Sequence, residues 1–142
     1  MLDLAAARTR GAHPYFTPVE HTRAARRRLG DGALLAPELA CAVDPDPDRA
    51  RAEAREYASL YLQLRNYTTN LLDYGFTEKD IANGGSDGLF DAIGPQGSAV
   101  KIAAMVREHL SAGADHVCLQ PVGVRGVPRE EWTALAAELI GS

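Results

Sequence analysis

The chain reads as an α/β protein whose parallel strands are joined by helical crossovers. Three observations predict this. Helical and strand patterns alternate along the 142 residues. Apolar runs such as "ALLAPELACAV" and "DHVCLQ" have the length and character of buried strands. Capping signals at Thr17, Asp46 and Ser98 mark where helices begin. With 46% hydrophobic and 24% charged residues, the chain is in the range of one domain, 1–142, with its own core, and is neither disordered nor membrane-embedded by composition.

Taken in order, "MLDLAAARTR" reads as the end of a helix and "GAHPYF" as a short strand. Thr17-Pro18-Val19-Glu20 has the form of a capping box with Pro at the first helical position, predicting a helix from Pro18 to about Leu29. Gly30 and Gly32 stop it. Ala33 to Val43 then forms an apolar strand, with Pro37 near its start. "DPDPD" punctuates the chain, and Asp46 caps a helix in which Ala50, Ala54, Tyr57, Ala58 and Tyr61 share one face, ending near Leu64.

Residues 66–97 are too long for an ordinary connection and are rich in Asn, Asp and Gly; they read as an elaborated loop region with short helical pieces. Ser98 caps an amphipathic helix carrying Ala99, Ile102, Ala103, Val106 and Leu110. Gly113 ends it, and His116 to Gln120 forms the next strand. A final helix starts around Pro128, with Trp132, Leu135 and Leu139 on one stripe.

A formal charge of −4 with scattered arginines leaves no one-signed surface for nucleic acid or an anionic membrane. Arg26-Arg27-Arg28, the only basic cluster, reads as a solvated helix face. Cys41 and Cys118 each lie in an apolar strand and suit buried, reduced thiols. No segment has a signal-peptide core or transmembrane length, so the expected address is cytoplasmic. Metal-ligand spacings, a nucleophile elbow and paired carboxylates are all missing, and no catalytic residue is assigned. "GGSDG" at 84–88 and "GPQGS" at 94–98 lack the spacing of phosphate loops and read most simply as turns.

Four segments together, "GAHPYFTPVEHTRAARRRLG", "LLAPELACAV", "LRNYTTNLLDYGFTEKDI" with "GGSDGLFDAI", and "IAAMVREHLSAGADHVCLQ", resemble the C-terminal part of the luciferase-like monooxygenase superfamily. They are most similar to its actinobacterial branch of oxidoreductases dependent on the deazaflavin coenzyme F420. The resemblance runs from Met1 to about Leu139 and rests on the order and spacing of the segments. It implies a (β/α)8 TIM barrel of which this chain, short of the roughly 250 residues of a full barrel, supplies strands six to eight. Strands one to five, and the Gly-rich segment that binds the cofactor phosphate, would then lie outside it. The implied cofactor is coenzyme F420 or FMN.

Barrel sites lie at the C-terminal ends of strands, which places His13, Tyr15, Phe16 and Gln120 on the cofactor side and His116 on the stability side. His13 can hydrogen-bond a ligand or simply tie down the barrel. Tyr15 and Phe16 can wall a planar ring or pack the core. Asn66, Tyr67 and Asn70 can orient a polar substrate from a lid, or cap neighbouring helices. Two functions remain open. One is a hydride-transferring or oxygenating enzyme for a small-molecule substrate, completed by a homo-oligomer or by a chain that supplies the missing strands. The other is a non-catalytic α/β module or truncated relic that oligomerises or binds a partner, as unpaired strand edges invite.

Overall fold

Pro37 decides how the central strand is built. The computed structural model, which describes residues 1–141, divides the expected run into β2 (Leu34–Leu35) and β3 (Glu38–Val43). On one side the ladder is unbroken: the N–H groups of Leu34, Ala36 and Glu38 donate to the carbonyls of Arg10, Ala12 and Pro14 at 2.9, 3.0 and 2.8 Å. On the other side Pro37 has no N–H to give. Its carbonyl accepts from the Cys118 N–H at 2.9 Å, and regular pairing with β5 (Cys118–Pro121) begins only at Glu38 opposite Cys118.

Every pairing is parallel. β1 (Gly11–Ala12) lies against β2, a single bridge joins Tyr15 to Glu38, and β3 sits between β4 (Gln96–Gly97) and β5. Gly11 is what lets β1 approach, because a Cβ there would stand 1.9 Å from the Leu34 carbonyl oxygen. The connecting helices are α1 (Leu2–Arg8), α2 (Val19–Leu29), α3 (Pro47–Ala58), α4 (Arg65–Asp73), α5 (Glu78–Ile81), α6 (Asp87–Ile93), α7 (Ala99–Ser111) and α8 (Arg129–Leu139). Alternate residues of β3 serve two cores. Ala40 and Ala42 face a cluster containing Ala50 and Ala54 of α3 and Phe90 of α6; Cys41 and Val43 pack with Ile102 of α7 and Leu135 of α8. Both faces are covered, as a parallel sheet requires.

The asparagine- and glycine-rich region is more regular than its composition suggests. It forms α4, α5, α6 and β4, and it buries Leu71, Leu89, Phe90 and Ile93 against the sheet. Thr77 and Asp80 make a capping box for α5, and the Ser86 hydroxyl accepts from the Leu89 N–H at 3.2 Å to cap α6. "GPQGS" is not merely a turn, since Gln96 and Gly97 pair with Ala42 and Val43.

Other expectations are corrected. The Thr17 capping box does not form: Pro18 occupies the N-cap, α2 starts at Val19, and Thr17 is itself buried. The third helix ends at Ala58, because i→i+3 bonds such as Leu64 N–H to Tyr61 O tighten the chain into a 3-10 turn at Tyr61–Gln63. In α7 the buried stripe runs Ile102, Ala103, Val106, His109, and Leu110 is left 42% exposed because His109 takes the inward position against Thr22. β5 starts at Cys118 rather than His116, since the N–H groups of both Asp115 and His116 turn to the single carbonyl of Leu35. In α8 Leu135 is buried but Trp132 is half exposed.

Arg27 and Arg28 are exposed, as a solvated helix face requires, but Arg26 is not. Its side chain is only 16% exposed. It donates to the carbonyls of Gly113, Ala33 and Gly30 at 2.8, 2.9 and 2.6 Å and to the Asp115 carboxylate at 2.5 Å. Asp115 also accepts from the Leu35 N–H, and these bonds hold it below the usual carboxylate range. Among the described residues no helix is long and apolar enough to cross a membrane.

Candidate functional site

The site grows from the end of the first strand. After Tyr15 pairs with Glu38, the chain turns at Phe16, whose φ of 58° is unusual for a bulky side chain. Such a conformation costs about 1–3 kcal/mol and persists only where the surroundings enforce it. The turn leaves Phe16 5% exposed in the core, while Tyr15 stays half-buried.

Tyr61, just beyond α3, is the centre of an aromatic cluster. Phe16 stacks on it at 5.3 Å, Tyr15 and Tyr67 meet it edge-on at 5.2 Å each, and Tyr57 lies 5.4 Å away. Such arrangements are the favoured ones for aromatic quadrupoles. The hydroxyls converge as well. Those of Tyr15 and Tyr57 are 2.5 Å apart, those of Tyr57 and Tyr61 are 3.2 Å apart, and Tyr57 donates to Gln120 Oε1 at 3.0 Å. Burial is the largest cause that pushes the phenols of Tyr15 and Tyr57 up, so both stay protonated near neutral pH.

Beside Tyr15 opens a cleft of about 570 Å³. Leu2, Ala5, Ala12 and Pro14 give it apolar walls, and α4 presents Asn66, Tyr67 and Asn70 from its first two turns. Five of the seven residues singled out from sequence therefore border one space: His13, Tyr15, Asn66, Tyr67 and Asn70. The structure does not bring the other two there. Phe16 stands behind Tyr15 in the core, and Gln120 reaches the site only through Tyr57. Behind the cleft wall, a hole of only about 10 Å³ remains among Tyr15, Phe16, Tyr57 and Phe90, too small for anything beyond a water.

His13 is held from both sides. Its Nδ1 lies 2.7 Å from the Ala36 carbonyl and its Nε2 2.8 Å from the Glu38 carboxylate. The ring is tied to the neighbouring strand, yet it is half exposed to the cleft. His116 is exposed and away from this space.

Sequence reasoning missed three members of the site. Tyr57 and Tyr61 read as core residues on an apolar helix face, although a buried phenol's need for a hydrogen-bond partner is a signal that could have flagged them. His21 gave no signal. It lines the cleft, is 9% exposed, lies tilted against Tyr74 at 5.2 Å between ring centres, and leaves Nδ1 without a partner among the described residues. Burial, aided by Arg28, lowers its pKa and keeps it neutral. No group of three or more His, Cys, Asp or Glu among the described residues is placed to hold a metal ion.

Parallel strands, outer crossover helices and a cleft beside a strand end together define an α/β fold. The solved structure of the coenzyme F420 dependent tetrahydromethanopterin reductase from Methanopyrus kandleri is one to which the chain is similar, with a TM-score of 0.65 and 13% identity. The match covers 97% of this chain and 46% of that one, so the chain spans about half the length of that protein. At this identity the likeness is one of fold. No family model matches the chain, and no curated protein matches it.

Proposed function

We propose that the chain is the part of a luciferase-like oxidoreductase that supplies barrel strands six to eight, of the F420-dependent actinobacterial type, acting on a small molecule with coenzyme F420 or FMN. The observation that carries this reading is the fold likeness, over nearly the whole chain, to a protein named for its dependence on F420. The cleft supports it. Apolar walls and the rings of Tyr15 and Tyr67 suit a planar heterocycle, with Asn66 and Asn70 for its polar edge. No Lys or Arg borders the cleft, so these residues fit the ring of such a cofactor and not its phosphate. When bound, the cofactor supplies the redox chemistry. His13 and Tyr15 position the ring, with the packed aromatic core behind them.

The outward main-chain groups of His13 and Tyr15 face away from β2, because those of Arg10, Ala12 and Pro14 are the ones that pair. That open edge favours completion by further parallel strands, whether from a second copy or from a chain carrying strands one to five. It equally favours the second reading, a non-catalytic module that uses the edge to bind a partner. A cytoplasmic address belongs to the enzyme reading.

Fluorescence titration of the purified chain with oxidised F420 and with FMN tests the proposal. Saturable binding at micromolar affinity, about −8 kcal/mol, is expected. If neither ligand binds the chain, alone or mixed with a polypeptide carrying the missing strands, the module reading replaces it.

A further inference from the structure

Tyr57 has its hydrogen-bonding capacity filled. It donates to Gln120 Oε1 at 3.0 Å, and a phenol has one hydrogen to give. Its oxygen therefore accepts from Tyr15 at 2.5 Å and from Tyr61 at 3.2 Å. The consequence reaches the cleft. Tyr15 and Tyr61 have turned their hydrogens inward, so the oxygen that Tyr15 offers to a ligand is an acceptor. The carboxamides of Asn66 and Asn70 on the cleft rim make no side-chain hydrogen bond among the described residues, and their N–H groups are free to donate. Tyr57 also borders a second recess, of about 520 Å³, with Glu53, Glu56, Gly123 and Arg125. It thus links Gln120, outside the cleft, to Tyr15, inside it.

We propose that Tyr57 is a positioning residue that sets the polarity of the cleft, so that the site selects a neutral ring carrying an N–H donor beside a carbonyl, a cyclic amide or imide. The ligand N–H meets the Tyr15 oxygen, and its carbonyl meets Asn66 or Asn70. Tyr57 itself touches no ligand. This deepens, and rests on, the reading of the cleft as a site for a heterocyclic ring. The same chemistry occurs at the edge of a flavin or deazaflavin and in a free pyrimidine base, and the test separates these sources.

The experiment compares FMN with N3-methyl-FMN by fluorescence titration, and uracil with 1,3-dimethyluracil by NMR shifts of Tyr15 and Asn70. Methylation removes the donor and leaves the ring. In the wild type, the methylated partner of each pair should bind about tenfold more weakly, the worth of one hydrogen bond left unmade. In Tyr57→Phe, Tyr15 loses the Tyr57 oxygen as its acceptor, its hydroxyl can donate to the cleft as well as accept from it, and the preference should fall well below tenfold. A merely structural role for Tyr57 would weaken both partners of a pair alike. If Tyr57→Phe does not fold, Gln120→Lys at an exposed position serves instead: its ammonium donates to the Tyr57 oxygen, turns the Tyr57 hydrogen back toward its tyrosine neighbours, and should also reduce the preference. FMN and N3-methyl-FMN binding equally well to the wild type overturns the inference and leaves the cofactor reading standing. Donor-dependent uracil binding without binding of FMN or F420 upholds the inference and removes the cofactor reading. Binding of neither uracil nor FMN overturns both.

Discussion

Beside Leu35, at the start of the central strand, Arg26 and Asp115 close on each other and on four backbone groups; further along, beside Glu38 and Ala40, Tyr15, Tyr57, Tyr61 and Gln120 also form a polar cluster. The two differ in completeness. The arginine cluster spends four of the five Arg26 N–H donors on protein carbonyls and carboxylate, so its bonds run almost wholly within the protein. The tyrosine cluster fills only Tyr57 and leaves acceptor oxygens on Tyr15 and Tyr61. Satisfied polar networks rigidify a fold, whereas groups left open beside a cleft are available for recognition. One cluster is built for stability and the other for binding.

Gly11 brings β1 into place and thereby delivers Tyr15 to its cluster, so the largest effect is expected there. Gly11→Ala drives a methyl into the Leu34 carbonyl and should cost on the order of 3 kcal/mol, read by urea unfolding. Ligand binding should fall with it.

Acid sharpens the contrast from the stability side. His109 lies buried near the arginine cluster with its Nδ1 2.8 Å from the Thr22 hydroxyl, and burial holds its pKa down to about 4. An unfolded histidine titrates near 6.5, so between those values the unfolded chain binds more protons. Stability is therefore full above about pH 6.5 and falls as the pH drops towards 4, by on the order of 2–3 kcal/mol. Denaturant midpoints at pH 7 and pH 5 should show the loss, and His109→Gln should flatten it.

The direct pair of variants comes next. Arg26→Ala takes the donor from the carbonyls of Gly113, Gly30 and Ala33 and should destabilise by about 2 kcal/mol. Tyr57→Phe removes hydroxyl bonds in a half-open setting and should cost about 1 kcal/mol or less, while changing ligand selectivity. Equal stability losses would erase the distinction between the clusters. The smallest effect concerns the thiols. Burial pushes Cys41 up to about 12 and also raises Cys118, so a thiol reagent at pH 8 should leave Cys41 unmodified in the native protein and label it readily in urea.

Much of the fold was legible because it is local. The caps at Asp46 and Ser98, the buried alanines of α3 and the order of strands and helices follow from short-range chemistry. Pro37 was visible too, although only the approach of β5 shows what its missing N–H does. The site was legible in part: strand-end placement and the paired asparagines of α4 led to the cleft. What the sequence hid are contacts between distant residues. Arg26 meets Asp115 and Tyr15 meets Tyr57 through packing that no local window contains. In region 66–97 the short helical pieces were legible, but its glycines and asparagines hid how Leu71, Leu89, Phe90 and Ile93 supply the apolar surface that folds it onto the sheet.

The division between a binding cluster and a stabilising one is tested most directly by a nitrogen-15 NMR titration of the chain with oxidised F420, mapping which amides and side-chain carboxamides move. Shifts are expected at Ala12 to Thr17, at Asn66 to Asn70 and at the Gln120 carboxamide, with Arg26 and Asp115 unmoved. Shifts confined to the arginine cluster, or none at saturating ligand, would contradict that division.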